Sequence, residues 1–161
     1  MQAPTTDTFR AALGRFATGV TIVTTRSSSG QPLGLTVNSF NSVSLQPPLV
    51  LWSLGLRSGA LPAFMQAAHY AIHVLSAQQR DLALRFAAQG VDRWQGVEFA
   101  SGVGGVPLLP GVVASFECRS RSRYEEGDHV IFVGEVERCQ HRLEVRPLLY
   151  HGGRFYTEHP L

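Results

Sequence analysis

The sequence predicts a mainly β fold, an antiparallel barrel or sandwich with a few short helices packed at its ends. Short β-branched and aromatic runs recur between clusters of turn-forming residues. Helical periodicity shows only in brief stretches. Strands do not alternate with long helices, so a doubly wound parallel sheet fits poorly.

Taken in order, Thr5, Thr6 and Asp7 offer N-cap chemistry, and Phe9, Leu13 and Phe16, with Ala12 and Ala17, form one apolar stripe. A first helix follows from that pattern, and Gly19 ends it. Residues 20–25 are almost wholly β-branched and predict a strand. Residues 27–32 read as a turn, 33–40 as a second strand, and 43–54 as a third, interrupted near Pro47 and Pro48. A short helix over 61–68 and a buried strand over 70–75 come next. Ser76 and Gln79 then make a capping box ahead of Leu82, Ala83 and Phe86. Residues 92–105 are Gly-rich and irregular, with Trp94 and Phe99 as anchors. The last third returns to strand over 112–124, 129–139 and 143–150, with a turn at 125–128.

A length of 161 residues suits one domain with a sizeable core. All 14 basic residues are arginine, so lysine nucleophiles, Schiff bases and P-loop lysines are excluded. A net charge of +2 argues for no nucleic-acid partner. Cys118 and Cys139 form no CxxC pair and fit a reduced, cytoplasmic protein. Neither a signal-peptide pattern nor a membrane-length apolar run is read, so a soluble protein is expected.

Several motifs carry no chemistry. The glycines of 102–105 are followed by Pro107 where a dinucleotide loop needs glycine, and they do not join a strand to a helix. His69 and His73 are four apart but fall on a strand, where that spacing spans about 13 Å. One surface and one half-buried histidine are expected there, and no metal site. Arg119, Arg121 and Arg123 share a strand face, with Glu135 and Glu137 expected across from them as ion-pair partners.

The densest polar segment within apolar surroundings runs over 36–44 and is built of hydroxyl and amide side chains. Two readings stand. Such groups read the edge of a flat heteroaromatic ring or wrap a phosphate, or they satisfy their own strand-to-loop backbone. Arg57 and Ser58, between glycines and ahead of a helix, offer an anion seat. His129 opens a strand just past a hairpin turn.

The string from Phe9 through Phe16-Ala17-Thr18-Gly19-Val20 to Thr25 resembles the opening of the flavin reductase-like family, the NAD(P)H:flavin oxidoreductases of two-component monooxygenases. Gly34 to Phe40, Ser42 to Leu45 and Pro47 to Val50 are similar to its most specific signature. His73 to Ser76, Gln79, Leu82-Ala83 and Arg85 to Ala87 resemble the next block. Gly127-Asp128-His129 and Pro147 to Gly153 complete an ordered set over nearly the whole chain.

The resemblance implies a Greek-key split β-barrel that binds FMN or FAD, takes hydride from NADH or NADPH, and forms a homodimer. It implies flavin contacts by Thr36, Val37, Asn38, Ser39 and Phe40, by Ser53 and Leu54, and by Phe86 and Ala87. Ser42, Ser44, Arg57 and Ser58 would lie near the ribityl phosphate. His129, with Tyr150, His151 and Arg154 behind it, would hold the nicotinamide. Two positions depart from the family pattern, which often has Asn at His73 and a hydroxyl at Ala60. Hydride transfer needs no protein nucleophile and no metal. A partner oxygenase would receive the reduced flavin. The alternatives are a storage or sensory flavin-binding module on the same barrel and, ranked last, an oligonucleotide-binding barrel.

Overall fold

A computed structural model describes residues 3–161. Helix α1 (Thr6–Leu13) opens it, and the Thr5 hydroxyl accepts the Thr8 N–H at 3.2 Å as its cap. Next come β1 (Thr18–Gly19), β2 (Thr21–Arg26), β3 (Pro32–Val37), β4 (Asn41–Leu45) and β5 (Pro48–Gly55). Helix α2 (Leu61–Gln66), β6 (His69–Val74) and α3 (Arg80–Ala87) follow, α3 entered through the capping box of Ser76 and Gln79. The last third holds β7 (Ala100–Ser101), β8 (Pro107–Leu108), β9 (Ala114–Glu126), β10 (His129–His141), β11 (Leu149–His151) and β12 (Arg154–Tyr156).

Seven strands form one antiparallel sheet in the order β3-β2-β6-β9-β10-β5-β4, while β1, β11 and β12 form a small second sheet. The large sheet curls on itself. Leu35 and Val37 of β3 pack on the same core as Val50, Trp52 and Leu54 of β5, although these strands lie near opposite ends of the order. β3 and β4 do not pair with each other, so the barrel stays split and both keep an open edge. The expected mainly β, split-barrel class is the one observed.

Inside the barrel, Trp52 stacks on Phe132 at 4.7 Å, and Phe64 of α2 meets Trp52 edge-on at 4.9 Å. Gly134 lets this core close. A Cβ there would lie 2.5 Å from the Tyr70 hydroxyl oxygen and 2.9 Å from the Cys118 Cβ. Val23 faces this core, whereas Ile22 joins a second cluster with Leu75, Ala83, Phe86 and Leu148. Burial on both faces is why β2 lacks the alternation of a half-wet strand.

Five expectations need correction. The strand over 33–40 ends at Val37. Pro47 sits in a tight β4–β5 hairpin, with the Gln46–Pro47 peptide cis, so 43–54 is two strands. The β9–β10 turn is only Gly127-Asp128, since Glu126 pairs with His129; Gly127 has φ +59°, as the first position of a two-residue hairpin turn allows. Residues 143–148 are not strand. Arginines and a glutamate crowd 142–146 without a side to bury, and Leu143 is 90% exposed. Helix α1 stops at Leu13 with Gly14 as its cap, so Phe16 and Ala17 of the expected stripe lie past its end and Gly19 stands in β1; the stripe stays uncovered, with Phe9, Leu13 and Phe16 55%, 57% and 77% exposed.

Candidate active site

The site is built on the open edge of β3. Arg93 Nη1 donates to the Gly34 carbonyl at 2.9 Å, so that carbonyl points away from β2. Alternate residues of an antiparallel strand turn both backbone groups the same way, so Thr36 also presents its N–H and C=O to the open side. Helix α3 and the loop after it hold this edge in place. The Thr36 hydroxyl donates to the Ala83 carbonyl at 2.6 Å, and a Cβ on Gly34 would lie 2.8 Å from the Phe86 ring and 3.2 Å from that of Trp94. Arg93 further donates twice to the Ala88 carbonyl.

Two clefts open along this edge. One, of about 380 Å³, is lined by Thr36, Val37, Asn38, Ala87, Tyr150 and Phe155 among others. The other, of about 810 Å³, runs past Leu33, Gly34 and Leu35 to Leu54, Arg57, Ser58 and Trp94. The first is largely apolar with amide and phenol groups; the second ends at a guanidinium. Helix α2 has only six residues, so the positive charge at this end of the cleft comes from the Arg57 guanidinium and not from a helix dipole.

The remaining expected residues fall in several places. Ser39 Oγ accepts the Ser53 N–H at 2.9 Å and donates to the Ser53 carbonyl at 3.2 Å. Asn41 pairs with Leu51, so Ser39 replaces a ladder partner where β4 has ended. The reading in which polar side chains satisfy their own backbone holds only for Asn41, whose Oδ1 accepts the Ser42 N–H, while Thr36 and Ser39 serve the backbone of α3 and β5. Asn38 is exposed in the cleft. Phe40 packs on Phe116 at 5.3 Å. Ser42 and Ser44 stand on β4 and line neither cleft. Phe86 is fully buried beneath Gly34, and only Ala87 of that pair reaches a cleft surface.

His129 opens β10 opposite Gly55 and near the Arg57 loop, where the Leu56 N–H donates to the Asp128 carbonyl. Its Nδ1–H donates to Asp128 Oδ1 at 2.7 Å. That bond, then the imidazole charge and the more distant Arg57, hold the Asp128 carboxyl below the usual carboxylate range. Tyr150, His151 and Arg154 belong to the small sheet, and His151 pairs with Arg154 across its turn. Among the described residues, no hydrogen bond joins His129 to these three.

Sequence reasoning missed two supports. Arg93 ties the loop to β3; a lone arginine in an irregular segment gives no signal of that. Glu117 is buried and accepts the Val103 N–H at 2.6 Å, organising the glycine loop.

His73 corrects another expectation, being fully buried instead of half-buried. Its Nδ1–H donates to the Ile22 carbonyl at 3.0 Å, and Nε2 accepts the Leu109 N–H at 3.2 Å. Both bonds require the neutral ring, and burial lowers its pKa to about 4. His69 pairs with Glu137 at 3.3 Å. Arg119 and Arg121 both reach Glu135, as the ladder predicted, while Arg123 turns to the Ala67 carbonyl. Among the described residues no cluster could hold a metal ion.

An edge of backbone groups and uncharged side chains, a flat apolar cleft and an arginine farther along suit a ring bearing a phosphorylated tail. Residues 13–159 match the flavin reductase like domain. The chain belongs to that family. It is 51% identical over 147 residues to the FMN reductase (NADH) SmoA of Agrobacterium fabrum, covering 91% of this chain and 83% of that one. It is 43% identical over 148 residues to the reductase component of the flavin-dependent trigonelline monooxygenase of Acinetobacter baylyi, covering 92% of this chain but only 47% of that protein. The NADH:FAD oxidoreductase SgcE6 of Streptomyces globisporus, solved with NAD and FAD fragments, superposes with a TM-score of 0.90 at 40% identity, over 96% of this chain and 93% of that one.

Proposed function

We propose that this chain passes a hydride from NADH or NADPH to FMN or FAD and delivers the reduced flavin to a partner monooxygenase. The observation that carries this reading is the open edge of β3, which turns the Thr36 backbone groups and Asn38 toward one cleft and leads to Arg57 and Ser58 in the next. Thr36, Val37 and Asn38 hold the polar edge of the ring, Ala87 and Tyr150 flank it, and Arg57 with Ser58 holds the phosphate. When bound, the flavin supplies the hydride-accepting chemistry. The protein's part is to align the two rings and exclude water, which needs no acid–base pair.

His129 positions the nicotinamide. Asp128 accepts its Nδ1–H, which leaves Nε2 of the neutral ring free to accept a carboxamide N–H. The exposed Phe9 ring on α1, 55% accessible and lining neither cleft, supports a homodimer. The names of SmoA and of the trigonelline reductase component support flavin reduction in the service of an oxygenase. The free thiols of Cys118 and Cys139 support a cytoplasmic setting, and among the described residues no helix is long and apolar enough to cross a membrane.

The test follows nicotinamide absorbance with added FMN or FAD. Oxidation that scales with flavin supports the reading and ranks the two flavins. Flavin binding without oxidation replaces it with a flavin-binding module, and a protein that does neither overturns it. His129→Ala is expected to lower kcat/KM for NADH about tenfold, as loss of one charge-capable hydrogen bond implies; an unchanged value removes His129 from the role.

A further inference from the structure

A third cleft, of about 840 Å³, adjoins the flavin cleft and shares Asn38, Tyr150 and Gly153 with it. Its far wall is α1 and the turn after it, which contribute Arg10, Leu13, Arg15 and Phe16. The Gly152 N–H donates to the Gly14 carbonyl at 3.0 Å, pinning the end of α1 to the β11–β12 turn. Thr18 pairs with Tyr150 and lines the same cleft, and its buried hydroxyl finds no partner among the described residues.

Arg10 and Arg15 are exposed, and no described carboxylate lies within ion-pair distance of either. The contrast with Arg119 and Arg121 is direct, since those share Glu135. Two free guanidinium groups facing a cleft 300–1,000 Å³ in size make a seat for a phosphorylated small molecule.

We propose that Arg10 and Arg15 bind the phosphates of the nicotinamide dinucleotide. This rests on the functional reading above. A nicotinamide must lie against the ring held by Thr36, Val37 and Asn38, and the rest of the dinucleotide must leave that cleft. The cleft sharing Asn38 and Tyr150 gives it a path that ends at these two arginines. The opposite end of β3 already has Arg57 for the flavin phosphate, so the two anions have separate seats.

The test is titration of NAD⁺ and NADP⁺ against the flavin-loaded protein, read by flavin fluorescence, for the wild type and for Arg10→Gln, Arg15→Gln and the double variant. Each single change is expected to weaken dinucleotide binding about tenfold, the low end for a charge-assisted hydrogen bond at an exposed site. Flavin Kd and circular dichroism should not move. Equal weakening of both dinucleotides assigns the seat to the pyrophosphate; weakening of NADP⁺ alone assigns it to the 2′-phosphate. Arg15→Lys should restore part of the loss.

Unchanged dinucleotide binding in the double variant overturns the proposal. Loss of flavin affinity in place of dinucleotide affinity overturns it too. A wild-type protein that binds dinucleotide yet oxidises none would fail the reductase reading while leaving this seat intact.

Discussion

The interior of the barrel and its open edge use opposite chemistry. Tyr70, His73 and Cys118 all lie inside, and burial pushes the Tyr70 and Cys118 groups up and the His73 imidazole down. None of them lines the β3 clefts. The edge instead holds amide, hydroxyl and backbone groups, with one arginine at its far end. Perturbed titratable groups often mark catalytic centres, and in this molecule three of the four, all but the exposed Asp128, mark the packed core. A reaction whose hydride travels between two bound rings needs a shaped, dry edge more than a tuned acid.

That contrast breaks first in the core. Trp52→Ala removes the ring that Phe132, Phe64 and Tyr70 all touch. The expected loss is about 3–5 kcal/mol, from lost transfer energy and the cavity left behind, read as a fall in the urea midpoint. The edge should survive in whatever fraction stays folded, so flavin Kd measured at low temperature should change little.

His73 gives the next effect through pH. Its folded pKa, about 4, lies below the ordinary 6.5, so the unfolded chain takes up the proton first as pH falls. Its contribution is fully present above pH 6.5 and is lost progressively down to about pH 4, for a total of about 3 kcal/mol. Denaturation midpoints across that window should show the slope. His73→Asn, which keeps a donor and an acceptor but cannot titrate there, should flatten it; an unchanged slope would show that His73 is not its source.

The edge gives the third. Thr36→Val removes the hydroxyl that donates to Ala83 and ties α3 to β3. Stability should drop by only about 1 kcal/mol, while flavin Kd should rise severalfold because the edge loses its brace. Isothermal titration with FMN checks the second part. A stability loss with unchanged flavin affinity would place the ring away from Thr36.

How much of this was legible in the sequence follows the same division. The strand β2 announced itself through its β-branched run, and Ser76 with Gln79 announced α3 through local capping chemistry. The 36–44 segment drew attention by composition, yet two of its four hydroxyls serve the backbone of other elements, which only the folded register decides: Ser39 meets Ser53 because the β4–β5 ladder ends at Asn41 and Leu51. His73 was misjudged because alternation along β6 fails where both faces are covered. The braces from Arg93 and Glu117 join distant segments and leave no periodic trace.

The smallest effect comes from the surface. Glu135 accepts from Arg119 at 3.0 Å and Arg121 at 3.1 Å, with both guanidinium groups about half exposed. Water and salt screen such pairs, so Glu135→Gln should cost less than about 1 kcal/mol, and less again at high ionic strength. Arg121 would then stand as free as Arg10 and Arg15, beside an Arg119 that keeps only its longer 3.8 Å contact to Glu137, on a face that none of the three clefts above reaches. If phosphate recognition needed only unpaired guanidinium groups, this variant would gain a second dinucleotide site, visible as extra stoichiometry in the NAD⁺ titration. The expected result is no gain, because a cleft that holds the rest of the molecule is what turns two charges into a seat.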